Sequence, residues 1–339
     1  MTRATLRDVA AHAGVSHQTV SNVLNGHPSI RPTTRERVMV AIRALDYHPN
    51  LAAKALRESR VTTLCCAFYG HSAEDISDPY RNLIQSAFIA EAIARGYSIT
   101  TAFLTESEPE SFQRLRGAFL GRQFGGMVMV GPTLPPPWLT EFVRWGMPTV
   151  LFDRADDTGV VPSVTAAYTD GMIQVVAHHI AQGRRNLALV LPLSDASSSA
   201  ILRREGFCAA LSDWGLSGRL VEGDWSSESG EAAFHQLWNS TARPDAVVCG
   251  NDRMAAGALL AARALGVQVP TEVAISGFDD FEFARYTGPS LTTIHVPHGE
   301  MARLAVRTLL ARLEAPSSEK ASASVSSQMA VTLVIRESA

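Results

Sequence analysis

The sequence predicts a small all-helical head joined to a larger α/β body of two doubly wound parallel sheets. Three observations carry this. Residues 5–46 repeat apolar side chains at helical spacing between capping and stop signals. From Val61 onward, apolar runs of strand length alternate with amphipathic helical stretches, the pattern of β-α units. Charge is divided as well: residues 1–60 hold nine Lys or Arg against four Asp or Glu, a balance of +5, while the remainder carries −8, for −3 overall. A basic head on an acidic body fits a nucleic-acid-binding module on a ligand or partner domain.

With 339 residues, 46% of them hydrophobic, the chain is long enough for more than one core. It contains no run of about 18 apolar residues, so no membrane span is expected. The N-terminus shows no charged-then-apolar leader, which points to the cytoplasm. Cys65, Cys66, Cys208 and Cys249 lack metal-ligand spacing and are expected as reduced core residues. No metal or cofactor is expected.

In the head, Thr5 can cap a first helix, with Asp8 in capping-box position. Leu6, Val9, Ala10 and Ala13 share one face of it, and Gly14 ends it by entering left-handed backbone geometry. Ser16 caps a second helix, whose apolar face is Val20, Val23 and Leu24 and whose stop is Asn25-Gly26. Its other face carries His17, Gln18, Ser21 and Asn22, short polar side chains suited to reading base edges in a DNA major groove. Helix pairs of this kind also occur in proteins that never touch DNA. A third helix runs from about Pro32 to Asp46 on a stripe of Val38, Ile42 and Leu45. Beyond Pro49, Asn50 can cap an alanine-rich helix too short to be stable alone.

Residues 5–57 closely resemble the DNA-binding head and hinge of the LacI/GalR transcriptional regulators. The resemblance rests on Thr5-Leu6-x-Asp8-Val9-Ala10, Ala13-Gly14-Val15-Ser16-x-x-Thr19-Val20-Ser21, Leu24-Asn25-Gly26, Thr34-Arg35-Glu36-Arg37-Val38 and Tyr47-x-Pro49-Asn50-x-x-Ala53-x-x-Leu56. It implies a head over residues 1–48, with the helix-turn-helix at about 6–25, and a hinge and linker over 49–60. It also implies that the second helix lies in the major groove. The hinge would form only on operator DNA, where Leu56 wedges into the central base step and small Ala53 allows close approach. Ser16, Thr19, Ser21, Asn25, Thr34 and Asn50 match phosphate-contacting positions. Thr5, Leu6 and Tyr47 join them as DNA-facing positions, and His17, Gln18 and Asn22 are the readout positions. Two departures stand out: Asn22 where many members carry Arg, and Arg31 where a capping serine is usual.

In the body, Thr63–Phe68 reads as a buried strand, followed by helix Tyr80–Arg95, strand Tyr97–Leu104, helix Phe112–Gly121, strand Gly126–Val130, helix Trp138–Trp145 and strand Pro148–Phe152. A second series comprises helix 168–182, strand Leu187–Pro192, helices Ala200–Trp214 and Glu228–Asn239, strand Ala246–Gly250, helix Met254–Leu265 and strand Glu272–Gly277. A strand near Leu291–His295, helix Gly299–Glu314 and a closing strand Gln328–Glu337 complete it. The two tandem sheets, with Asp78-Pro79-Tyr80, Cys249-Gly250-Asn251-Asp252 and Gly277-Phe278-Asp279-Asp280, resemble the periplasmic-binding-protein-like effector domain of the same family. The expected subdomains are 61–165 with 296–322, and 166–295 with 323–339.

Ligands of open α/β sheets bind at the carboxyl ends of strands. The resemblance places Ser199, Arg203, Asn251, Asp279 and Asp153 there as effector contacts. Trp225 is added because Glu222-Gly223-Asp224-Trp225-Ser226 matches a family stretch whose tryptophan lies against a sugar, and Tyr80 because it opens the first body helix. His298 falls where a further cleft residue is expected. Planar polar groups and an aromatic face suit a carbohydrate or a derivative of one. The implied protein is a homodimeric repressor on a roughly palindromic operator, switched by that effector and ending too early for a tetramerising tail. A sugar-binding transport component shares the body but needs a leader and no DNA-reading head. An enzyme on the same layers would need a nucleophile elbow, phosphate loop or triad, and none is evident.

Overall fold

The computed structural model describes residues 4–24, 27–47, 61–70, 77–131, 133–156, 159–194, 197–315 and 326–339. The chain divides into two compact units, Met1–Val61 and Thr62–Ala339.

The first unit is a three-helix head: α1 (Leu6–Ala13), α2 (His17–Leu24) and α3 (Pro32–Ala44). The capping box closes as the sequence predicts. The Thr5 amide donates to the Asp8 carboxylate at 2.7 Å and the Asp8 amide to the Thr5 hydroxyl at 3.4 Å. The Thr5 hydroxyl, which donates to the same carboxylate at 2.7 Å, and then the Thr5 amide hold the Asp8 carboxyl below its usual range. Gly14 sits at φ 61°, where its amide caps the last turn of α1. Ser16 accepts from the Thr19 amide at 3.1 Å and so caps α2. Val9, Val20 and Val38, all fully buried, form the centre of the core. Two arginines of α3 bracket α2: Arg37 donates to the carbonyls of Ala13 and Gly14 at 2.9 and 3.3 Å, and Arg35 to those of His27 and Val23 at 3.0 and 3.4 Å. Arg31 occupies the N-cap position of α3 and makes no side-chain cap bond.

The second unit holds two parallel sheets. The first has the order β11-β5-β4-β3-β1-β2. Its strands are β1 (Thr63–Tyr69), β2 (Ser98–Leu104), β3 (Met127–Val130), β4 (Thr149–Phe152), β5 (Ser163–Ala166) and β11 (Ser327–Met329). The connecting helices are α4 (Pro79–Ala94), α5 (Glu110–Leu120) and α6 (Pro136–Arg144). Along β1, Leu64, Cys66 and Phe68 enter one core while Cys65, Ala67 and Tyr69 enter another, so both faces are covered.

The second sheet has the order β7-β6-β8-β9, with β6 (Leu187–Leu191), β7 (Arg219–Glu222), β8 (Ala246–Cys249) and β9 (Ala274–Ser276). It carries α7 (Tyr168–Ala181), α8 (Ser198–Ser212), α9 (Ser227–Trp238) and α10 (Asp252–Ala264). Beside it β10 (Thr293–His295) pairs antiparallel with β12 (Thr332–Val334), and α11 (His298–Glu314) returns to pack on α4, β4 and β5. The chain therefore passes between the two halves three times: after β5, after β10 and after β11.

Several expectations change. Residues 323–339 do not all belong to the second half: Ser327 aligns with Val164 on the edge of the first sheet, and only β12 joins the second. Strands β5 and β7 have no counterpart in the sequence reading. Cys208 is exposed on α8, whereas Cys65, Cys66 and Cys249 are buried, which raises their thiol pKa values, that of Cys65 to about 12. No described helix is long and apolar enough to cross a membrane.

Candidate functional site

On the head, His17 and Gln18 of α2 are exposed and Asn22 is half-buried beside them. The Gln18 side-chain amide donates to the Asn22 carbonyl oxygen at 3.1 Å, so the two side chains lie along one face, one helical turn apart. Thr5 and Ser16 are exposed, while Leu6, Thr19 and Thr34 are half-buried. Ser21 departs from the reading that set it on the polar face. It is 5% exposed, because it flanks Leu24 on the helical wheel and the three-helix core takes that flank. Tyr47 is also buried, packed into the head core. Asn25, Asn50, Ala53 and Leu56 lie outside the described residues.

In the body, strands of both sheets end around one cavity of about 340 Å³. Tyr80, Asp153, Ser199, Arg203, Trp225, Asn251 and Asp279 all line it. Asp153 follows β4, Trp225 follows β7, Asn251 follows β8 and Asp279 follows β9, as the strand-end rule for such sheets requires.

The polar groups of this cavity are tightly engaged. Arg203 reaches Asp279 at 3.1 Å, and both are buried. The Arg203 guanidinium lies 4.3 Å from the Tyr168 ring centroid, 4.4 Å from Phe278 and 5.4 Å from Trp225, a cation held among aromatic faces. Asp153 accepts the Tyr80 hydroxyl at 2.8 Å on one oxygen and the Tyr168 hydroxyl on the other. Burial raises the Asp153 carboxyl pKa against these hydrogen bonds, and burial beside Asp153 pushes both tyrosines well up. Asp153, Trp225 and Asp279 have φ of 62°, 69° and 109°, left-handed geometry that side chains other than glycine rarely adopt. Backbone strain of this kind gathers at ligand sites.

Four helices begin at the cavity. Asp78 caps α4 by accepting the Tyr80 and Arg81 amides, and Ser197 caps α8 by accepting the Ala200 amide. Ser226 caps α9 through the Ser229 amide, and Asn251 caps α10 through the Met254 amide. Asn251 also donates to the Trp225 carbonyl at 3.0 Å, which ties the tryptophan loop to the end of β8.

Sequence reasoning missed Asp78, Ser197, Asp224, Ser226, Arg253 and Phe281, which also line the cavity. Ser197 and Ser226 were findable, since a capping residue between a strand and a helix at this end of a sheet faces the crevice. His298 lies behind the site rather than on its lining. It is 1% exposed, with Nε2 3.3 Å from Asp279 and its ring edge-on to Tyr80 at 5.2 Å.

Comparison with known proteins agrees with both units. Residues 5–50 match the bacterial regulatory proteins of the lacI family, and residues 176–339 match a periplasmic binding protein-like domain. An HTH-type transcriptional repressor PurR of Erwinia tasmaniensis is 32% identical over 324 residues, covering 93% of this chain and 92% of its own. The structure of a Lac repressor dimer bound to operator and the anti-inducer ONPF superposes with a TM-score of 0.88 at 28% identity, covering 99% of each chain. A complex of the transcriptional regulator CelR with cellobiose gives a TM-score of 0.74 at 28% identity, covering 99% of this chain and 100% of the other. Identity at this level across nearly the whole length, with a helix-turn-helix head and a two-sheet body, places the chain in the lacI family of bacterial regulatory proteins.

Proposed function

We propose that this protein is a cytoplasmic transcriptional repressor, not an enzyme, whose hold on operator DNA is switched by a saccharide bound between the two sheets of the body. The observation that carries the reading is convergence. Seven side chains chosen from widely separated stretches of sequence line a single cavity that combines a tryptophan, a caged arginine and buried carboxylates. Such a lining suits the apolar face and the hydroxyls of a sugar ring, and CelR, a relative in fold, is described with cellobiose bound.

On the head, His17, Gln18 and Asn22 read bases. Thr5, Leu6, Ser16, Thr19, Asn25, Thr34 and Asn50 position the backbone, with Tyr47 and Ser21 supporting from within. Ala53 and Leu56 of the hinge engage the minor groove. Two copies of the chain on a roughly palindromic operator supply two heads, since dimer and operator symmetry go together. The effector shifts the balance only if it binds the DNA-competent and DNA-released states unequally.

The test selects sites from random DNA at fixed moderate salt, because affinity depends steeply on salt. Operator binding is then followed by fluorescence anisotropy while a saccharide panel is added. A palindromic site whose affinity moves by tenfold or more with one saccharide is the expected result. Sequence-blind binding, or turnover of a sugar by the pure protein, would overturn the reading.

A further inference from the structure

The cavity's charges and helix ends bear on which saccharides can enter. Four aspartates line it, Asp78, Asp153, Asp224 and Asp279, against two arginines, Arg203 and Arg253. The arginines already face acids. Arg203 is 3.1 Å from Asp279, and Arg253 lies in the fields of Asp224 and Glu228. The Ser226 hydroxyl holds Asp224 below the usual carboxylate range, so that acid keeps its charge. Even with a proton on Asp153, acids outnumber bases on the lining.

Helix N-termini would work the other way, because their free amides and dipoles attract anions. Here α4, α8, α9 and α10 all start at the cavity, and each offers a first-turn amide to its own cap: Asp78, Ser197, Ser226 and Asn251. One of those caps is itself a carboxylate. The Tyr80, Arg81, Ala200, Ser229 and Met254 amides are thus turned to the caps, and Arg203 gives one terminal nitrogen to Asp279 while its buried Nε carries no hydrogen bond.

We propose that this cavity rejects anionic ligands, so that the effector is a saccharide bearing neither phosphate nor carboxylate, and an amino saccharide is admitted on at least equal terms with its neutral parent. This rests on the reading of the cavity as the effector site. It narrows the class: the signal is the free sugar, upstream of phosphorylation, and not its phosphate ester.

The test uses the full chain with matched sets of neutral mono- and disaccharides, their phosphate esters, their uronic acids and their amino analogues. Binding is measured by thermal shift and then by calorimetry. The expected result is that a neutral or amino saccharide binds and its phosphate ester binds about a hundredfold more weakly, which corresponds to about 2.8 kcal/mol. Two further readouts separate charge from size. Raising the salt should narrow the gap, since salt screens charge. Asp224→Asn, at an exposed edge of the cavity, should narrow it by about three- to tenfold. A phosphate ester or uronic acid that binds within tenfold of its parent overturns the proposal while leaving the effector cavity standing. A gap that neither salt nor Asp224→Asn alters is steric and overturns it as well. If no saccharide of any charge binds, both this proposal and the function proposed above fall.

Discussion

Acidification from pH 7.5 to pH 5 should cost the folded protein about 2 kcal/mol through His179 alone. His179 lies on α7, fully buried, with Nε2 2.9 Å from the Ser276 hydroxyl on β9. Burial first, and then the neighbouring charges of His178 and Arg184, lower its pKa from an ordinary 6.5 to about 3. The unfolded chain therefore takes up a proton near pH 6.5, whereas the folded chain refuses it until about pH 3. The stability this confers is complete above 6.5 and drains away between 6.5 and 3. At pH 5 the unfolded state has about 1.5 pH units of protonation advantage, at about 1.36 kcal/mol each. The assay is urea unfolding of the wild type and His179→Gln at both pH values. Glutamine can still pair with Ser276 but cannot titrate. The raised carboxyls of Asp153 and Asp252 act in the opposite sense, favouring the folded state as pH falls, and they cancel in the comparison. The wild type should lose about 2 kcal/mol more than the variant. Equal losses would refute a neutral, buried His179 and with it the His179–Ser276 hydrogen bond.

Four other outcomes are expected. Arg203→Ala should abolish the effector response in an anisotropy titration while operator affinity holds. It should also lower the melting temperature, because breaking a buried pair costs about 3–5 kcal/mol, and a retained response would mean the cavity is misread. Asn22→Arg should change base preference at one symmetric operator position by about 1–3 kcal/mol, and selection returning the same site for both proteins would contradict its readout role. Arg37→Ala should destabilise the head by about 1–2 kcal/mol yet leave the salt dependence of operator binding unchanged, since its guanidinium serves the Ala13 and Gly14 carbonyls. A salt slope lower by about one would instead show a phosphate contact. Leu56→Ala should reduce operator bending in a circular-permutation gel assay, and undiminished bending would exclude the wedge.

The helices and most strands were legible because strong periodic patterns lie between caps and glycine stops. The signal failed where strands were short and carried few apolar residues. Arg219-Leu-Val-Glu222 shows one buried side chain, and Ser163-Val-Thr-Ala166 is four small or β-branched residues with no turn signal of its own. The end of the chain failed differently. Gln328 to Glu337 reads as one strand, yet β11 and β12 join different sheets, and residue pattern does not say which sheet an edge strand joins. The cavity was legible through the resemblance at seven positions, because four of them follow strand ends that strand order brings to one crevice and the other three lie in helices that start there. Asp78 follows a long segment whose length obscures its alignment, and nothing in the residue pattern around Asp224 and Arg253 separates a cavity-lining charge from a solvated one. Ser21 shows the limit within a single helix: its hydroxyl suggested the DNA side, and the packing of a third helix decided otherwise.

The three passages of the chain between the halves of the body also limit how it can move and fold. Neither half is one continuous piece of sequence: the first needs β11 and α11 from beyond residue 295, and the second takes its last strand after β11 has left. No single cut releases an intact half, so the two should unfold in one cooperative transition instead of two. Three tethers side by side also resist twisting and sliding. The motion they leave is a swing about the line that joins them, and a ligand that clamps the far side of that line converts its binding energy into a change of angle.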